Sequence, residues 1–320
     1  MTLRSLGNKI WFLLKETVNE FMSDNAIKFS ASLSYYTIFS LPPLLIVIIY
    51  LGGIFVGAEA VRGEIFGQIK GLVGNEAAMQ IQEIIKNVKL SDNNSFAAAI
   101  GIITLLLGAT GVFVEIQDSL NLIWGLKAKP KRGLMVFIKH RLISFSMIAS
   151  MGFLLCVGLV INSLINIFIE RLKFFFPDIT VFLFYALNIM VLFIIITLIF
   201  TVIFRILPDG KVSYKDAIIG AAFTTSLFMV GKSVVGAYIG SSSTASIYGV
   251  AGSLIVILLW VYYSAIILYF GAEFTKVYAS EFGNKIIPND YAVYIDRKER
   301  EIEPQAVDIK IKIVKFKTKL

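Results

Sequence analysis

Four stretches of this chain carry no charged residue at all: Phe29–Ala58, Phe96–Val114, Leu142–Ile169 and Ile179–Phe204. Two more, Ala217–Ile239 and Ile247–Ala272, are equally apolar, and only Lys232 interrupts the first of them. A helix needs about 20 residues to cross the ~30 Å hydrocarbon layer of a bilayer. Each stretch is close to that length or above it. In lipid the backbone groups must be satisfied inside the segment, which a helix does and an open strand does not. The expected fold class is therefore all-α: a polytopic transmembrane helical bundle of about six spans, with the lipid bilayer as its first partner.

Composition supports the same reading. Hydrophobic residues make up 57% and charged residues 16%, against about 25% charged in an ordinary soluble domain. Thirty Lys and Arg against 22 Asp and Glu leave a formal charge of +8. On a soluble protein that excess would suggest nucleic acid. Here it follows the spans. With the N-terminus inside, 23 of the 30 basic residues fall in the segments 1–28, 115–141, 205–216 and 273–320, and six fall in 59–95, 170–178 and 240–246. That asymmetry is the positive-inside pattern and places both termini in the cytoplasm of a multi-pass membrane protein. No nucleic-acid partner is needed to explain it.

Residues 1–28 are expected to form a cytoplasmic amphipathic helix. Leu3, Leu6, Ile10, Leu13, Leu14, Val18 and Phe21 recur at helical spacing, with Lys9, Lys15, Glu16, Asn19 and Glu20 on the other side. Such a helix either lies in the inner interface or packs on the ends of the bundle. No cleavable signal is recognisable in it, so the first span is expected to remain as an anchor. The membrane domain covers 29–280. Within it, 59–95 reads as an outer helical hairpin broken at Gly71 and Gly74. Residues 281–320, with Pro288, Pro304 and dense mixed charge, read as a flexible cytoplasmic tail.

Cys156 and His140 are the only cysteine and the only histidine, which excludes an intrachain disulfide and any paired-histidine or cysteine-rich metal centre. No catalytic residue, cofactor or metal is indicated. Ionisable groups inside or at the ends of spans are costly and mark candidate functional positions. These are Glu115 and Asp118, three apart on one face of the second span; Lys232, which either snorkels or pairs; and Glu273 at the inner end of the sixth. Asn121 and Arg205 fall at a similar depth. Pro42 and Pro43 remove a helical hydrogen bond and disfavour the preceding helical conformation, so the first span is expected to kink near Ser40. Broken helices mark substrate sites in transporters and also occur as inert bends. Small residues in the last two spans, among them Gly220, Gly231 and Gly252, permit close helix approach and a homo-oligomer.

Several of these residues carry a family resemblance. Ser32-Leu-Ser-Tyr-Tyr-Thr-Ile-Phe-Ser-Leu-Pro-Pro43, Leu207-Pro208, Tyr248-Gly249, Gly252-Ser253, Leu259-Trp260-Val-Tyr262 and Gly271-Ala272-Glu273-Phe274 occur in order over about residues 10–280. Together they resemble the YihY/BrkB family of bacterial inner-membrane proteins, once labelled ribonuclease BN. The resemblance implies transport of a lipid or small solute, or envelope maintenance, and transfers no catalytic residue. A non-transporting scaffold, binding partners through the outer hairpin or tail, is the alternative. The ribonuclease reading is disfavoured, because metal-dependent RNA cleavage needs a cluster of His and carboxylate ligands that a single histidine does not supply.

Overall fold

The computed structural model describes residues 3–57, 95–129, 177–241 and 250–295, with isolated positions in 59–82 and 142–150. Most of the expected span Leu142–Ile169, most of the outer hairpin and the tail beyond Ile295 lie outside the described residues. Six long helices are described: α1 Leu3–Ser23, α2 Ala26–Val56, α3 Ser95–Ile123, α4 Pro177–Ile206, α5 Tyr214–Ser241 and α6 Val250–Glu281. Three of them contain segments long and apolar enough to cross a membrane, Ala186–Ile206, Tyr214–Val235 and Leu254–Glu281. The bent pair Ala26–Leu41 and Pro43–Ile49 makes a fourth if it is one span. The protein is an all-α membrane protein. Large apolar side chains of α4, including Leu187, Met190, Ile194 and Leu198, are exposed along its length. In water such a surface would aggregate; in a bilayer it is the lipid-facing side.

Helix α6 is the central element, with α1, α2 and α5 packed on it; α3 packs on α2, and α4 on α5. The main core runs through Phe113, Leu120, Phe204, Leu207, Leu268 and Tyr269. Helix α1 lies antiparallel beside the last turns of α6. Lys9 Nζ stands 5.4 Å from the Phe282 ring centroid, Leu13 clusters with Phe274 and Val277, and the Phe21 ring meets Phe270 edge-on at 5.5 Å. Only part of the amphipathic stripe is thus packed, on α6. Leu13, Thr17 and Phe21 are buried, while Trp11, Val18 and Met22 point outward, Trp11 being 71% exposed. Asn25 separates α1 from α2 at φ 58, a left-handed conformation that asparagine tolerates better than most residues.

Helix α2 bends by 54° between Leu41 and Pro43, where proline removes the backbone donor. The bend fits against two glycines of α3. A Cβ at Gly108 would lie 2.9 Å from Pro43 Cγ, and one at Gly111 would lie 2.7 Å from Ser40 Oγ. Helices α5 and α6 meet through a reciprocal arrangement. The segments Gly220-Ala-Ala-Phe-Thr224 and Gly271-Ala-Glu-Phe-Thr275 differ at one position. A Cβ at Gly220 would strike Thr275, one at Gly271 would strike Thr224, and the Phe223 and Phe274 rings stack at 3.9 Å. Each glycine of one helix receives the threonine of the other. Both hydroxyls bond back to the glycine carbonyl of their own helix at 2.7 Å, so no polar hydrogen is left at the contact.

Two short ladders close the end of the bundle where α1 docks. Strand β1, Leu126–Ala128, pairs antiparallel with β4, Ala292–Tyr294; β2, Gly210–Lys211, pairs with β3, Ile287–Pro288. The segment expected to be flexible from residue 281 is therefore structured as far as Ile295. It buries Ile286 and Ala292 and satisfies its backbone on the α3 and α4 turns: Asn289 N–H donates to Asp209 O, and Ile295 N–H to Gly125 O. Its mixed charge concealed this, because strands so short carry little periodic signal.

Candidate functional site

Two polar centres occupy that end of the bundle. The first lies between α1 and α6. Lys276 Nζ donates to Glu20 Oε2 at 2.6 Å, to Asp24 Oδ2 at 2.8 Å and to Glu273 Oε2 at 3.3 Å. Local helix geometry builds each half: Glu20 and Asp24 are four apart on α1, Glu273 and Lys276 three apart on α6, and both spacings put side chains on one face. The exposures are graded. Glu20 and Asp24 remain partly open, whereas the Glu273 side chain is 0% exposed. Its Oε1 has no hydrogen-bond partner among the described residues. Oxygens of the three carboxylates lie within 4.8 Å of one another, a spacing that requires a cation between them. The Lys276 ammonium is that cation. Its three donors match the three acceptors, and the pair cannot be split without leaving a buried charge.

The second centre is a clamp on Asp209, in the Leu207-Pro-Asp-Gly210 turn between α4 and β2. Gln117 Nε2 donates to Asp209 Oδ1 at 3.2 Å and Asn121 Nδ2 to Oδ2 at 3.0 Å; the Asp209 N–H donates to Asn121 Oδ1 at 2.8 Å. With the Asn289 bond to its carbonyl, this aspartate joins α3, the α4 turn and β3. Trp124 Nε1 donates to Ala272 O at 3.1 Å, fixing the end of α3 to α6. Asp216, in the first turn of α5, accepts from Asn284 N at 2.9 Å. An acid there also complements the positive end of the helix dipole.

The polar residues singled out from sequence do not form one cluster. Glu273 enters the lysine centre, Asn121 enters the Asp209 clamp, and the Arg205 guanidinium stacks on the Tyr214 ring while donating to Val212 O. Glu115 is half-buried and Asp118 exposed on α3; both act electrostatically on the Tyr269 phenol. Lys232 is half-buried on α5. Pro42 and Pro43 sit at the bend. Sequence reasoning missed Asp24, Lys276, Gln117 and Asp209. Lys276 was the findable one, since it stands one turn after Glu273; Asp209 lies in a turn, where an aspartate ordinarily needs no further account.

Long apolar helices, a lipid-facing surface and buried charged centres gathered at one end define a multi-pass α-helical membrane protein. The chain belongs to the family described as Virulence factor BrkB, whose pattern matches residues 17–290. It is 27% identical over 277 residues to a UPF0761 membrane protein of Pseudoalteromonas atlantica, covering 86% of this chain and 88% of that one. It is 24% identical over 290 residues to one of Haemophilus influenzae, covering 89% and 99%. A UPF0761 membrane protein of Saccharophagus degradans is 26% identical over 267 residues; 81% of this chain is covered, which spans 58% of that longer relative. No solved structure matches.

Proposed function

We propose that this protein moves a lipid or small solute across the bacterial inner membrane, with both termini in the cytoplasm and the Lys276 centre as its switching element. One observation carries the reading: Glu273 is wholly buried, yet only one of its carboxylate oxygens is bonded among the described residues. A carboxylate held this way costs stability, and a change of its charge or its partner during a working cycle would relieve that cost. Helix α1 is built to report such a change. It is tied to α6 through Lys276, and beyond Asn25 it leads into the bent helix α2. Neutralising Glu273 weakens its bond to Lys276 within α6 and leaves the ammonium to the two α1 carboxylates. The bend at Pro43 and the glycine notch of α3 then provide the place where α2 can tilt.

Flux of labelled phospholipids and small solutes from proteoliposomes tests this. Wild-type protein is expected to exceed empty vesicles for one substrate class, and Glu273→Gln to lose most of that excess. Equal flux for wild type, Glu273→Gln and empty vesicles across the panel overturns the proposal.

A further inference from the structure

The exposed apolar stripe of α4 ends on a charge. Leu187, Ile194 and Leu198 lie open on one face, and Val202 and Arg205 continue that face toward the helix end at helical spacing. The apolar segment Ala186–Ile206 has 21 residues, about 31 Å at 1.5 Å per residue, which matches the ~30 Å hydrocarbon layer. Arg205 therefore stands at the edge of that layer, at the depth of the lipid phosphates. Helix α5 supplies a second wall. Thr197 Oγ1 donates to Thr225 Oγ1 at 3.1 Å and the Arg205 guanidinium lies on the Tyr214 ring, so the two helices run antiparallel. In that register the exposed Ile218 stands level with Val202, and Tyr214 and Lys215 are open beside Arg205.

The guanidinium is fixed in place but not neutralised. Its carbon lies 3.3 Å from the Tyr214 ring centroid, and Nη1 donates to Val212 O. These contacts orient the plane and leave the rest of the donor fork without a protein acceptor among the described residues. No ion pair joins Arg205 to a carboxylate among those residues. The acids nearest in the chain, Asp209 and Asp216, are buried and accept from the Gln117 and Asn121 amides and from the Asn284 N–H. A cation at the edge of the hydrocarbon is costly unless an anion meets it. A planar guanidinium matches two oxygens of a phosphate, and an exposed tyrosine suits the same headgroup depth.

We propose that this end of the α4–α5 hairpin is a phospholipid-binding site. Arg205 takes the phosphodiester through two parallel N–H bonds, Tyr214 holds the guanidinium in plane, and Lys215 adds a second positive charge. The acyl chain lies along Leu198, Val202 and Ile218. Inorganic phosphate shares the headgroup's chemistry but gains nothing from that apolar approach, so the lipid is the occupant. The site rests on membrane residence alone and stands whether or not the protein moves a solute.

Native mass spectrometry of the detergent-purified protein, titrated with phosphatidylglycerol, tests it. A charge-assisted hydrogen bond contributes about 1.5–3 kcal/mol, so Arg205→Gln should need at least about tenfold more lipid than wild type for half-occupancy. Diacylglycerol with the same chains should be bound by neither. Equal half-occupancy in the two proteins overturns the site, as does diacylglycerol bound as tightly as phosphatidylglycerol. Inorganic phosphate that displaces the lipid at equal concentration overturns the lipid as occupant. A second measurement needs no variant. Phosphatidylglycerol with a diazirine in its headgroup, photolysed in nanodiscs holding the wild-type protein, should crosslink within residues 202–218. Crosslinks confined to other segments overturn the proposal.

Discussion

At the residue scale the decisive group is Lys276, because three carboxylates depend on one ammonium. Replacing it with methionine keeps the stem's packing and removes the charge, leaving Glu273 buried beside Asp24. Breaking a buried ion pair costs about 3–5 kcal/mol, and Lys276 is still a quarter exposed, so Lys276→Met should destabilise by about 2–4 kcal/mol. Thermal unfolding in detergent measures this. Adding Glu273→Gln to Lys276→Met should return part of the loss, since the uncompensated charge goes with it. If the double variant is no more stable than the single one, the cost does not arise from Glu273. Asp209 differs in kind. Gln117 and Asn121 of α3 hold it through neutral amides, so Asn121→Leu should loosen the α3–α4 turn contact without touching the lysine centre, and footprinting of residues 207–211 should report it.

Among the elements, the α5–α6 crossing makes the sharpest prediction. Gly220 and Gly271 have no room for a methyl group, because the facing threonine Cβ atoms would lie 2.8 Å from it. Overpacking of this kind costs about 1–3 kcal/mol, and Gly220→Ala and Gly271→Ala should each fall in that range. The reciprocal geometry goes further. Gly220→Thr alone should be worse than Gly220→Ala, yet Gly220→Thr combined with Thr275→Gly moves the knob to the other helix and should recover most of the loss. Detergent melting curves of the single and paired variants decide it; no recovery means the contact is not reciprocal. The bend in α2 is local by comparison. Its cause is Pro43, and its accommodation is Gly108 and Gly111 on another helix, so Gly108→Leu should displace α2 even with both prolines intact. Spin-label distances across α2 and α3 would show the shift.

For the whole molecule, the lysine centre, the Asp209 clamp and the β ladders share one end of the bundle. The proposed orientation puts this end in the cytoplasm, the side the positive-inside pattern favours for the basic segments of the sequence. Ser280 is exposed there. In a Cys156→Ser background, Ser280→Cys should react with a membrane-impermeant maleimide in inverted vesicles and stay unlabelled in intact cells. The opposite result reverses the orientation.

Membrane residence and helical class were legible in the sequence, because both follow from solvation of a single segment. Twenty apolar residues in lipid have one way to satisfy their backbone, whatever their neighbours do. The resemblance carried by Leu207-Pro208 and Gly271-Ala-Glu-Phe was legible for a similar reason: each piece is local and the order is preserved. Glu273 stood out as a charge at a span's end, and Pro42-Pro43 as an interruption. Which partners these residues take was decided only by tertiary structure. The cation for Glu273 comes with two acids from a helix some 250 positions earlier in the chain. The segment 287–295 finds backbone partners on turns of α3 and α4, and two similar pentapeptides become a matched pair only when α5 and α6 cross. Burial converts an ordinary side chain into a costly one. Burial is a property of packed neighbours that no local pattern of residues records.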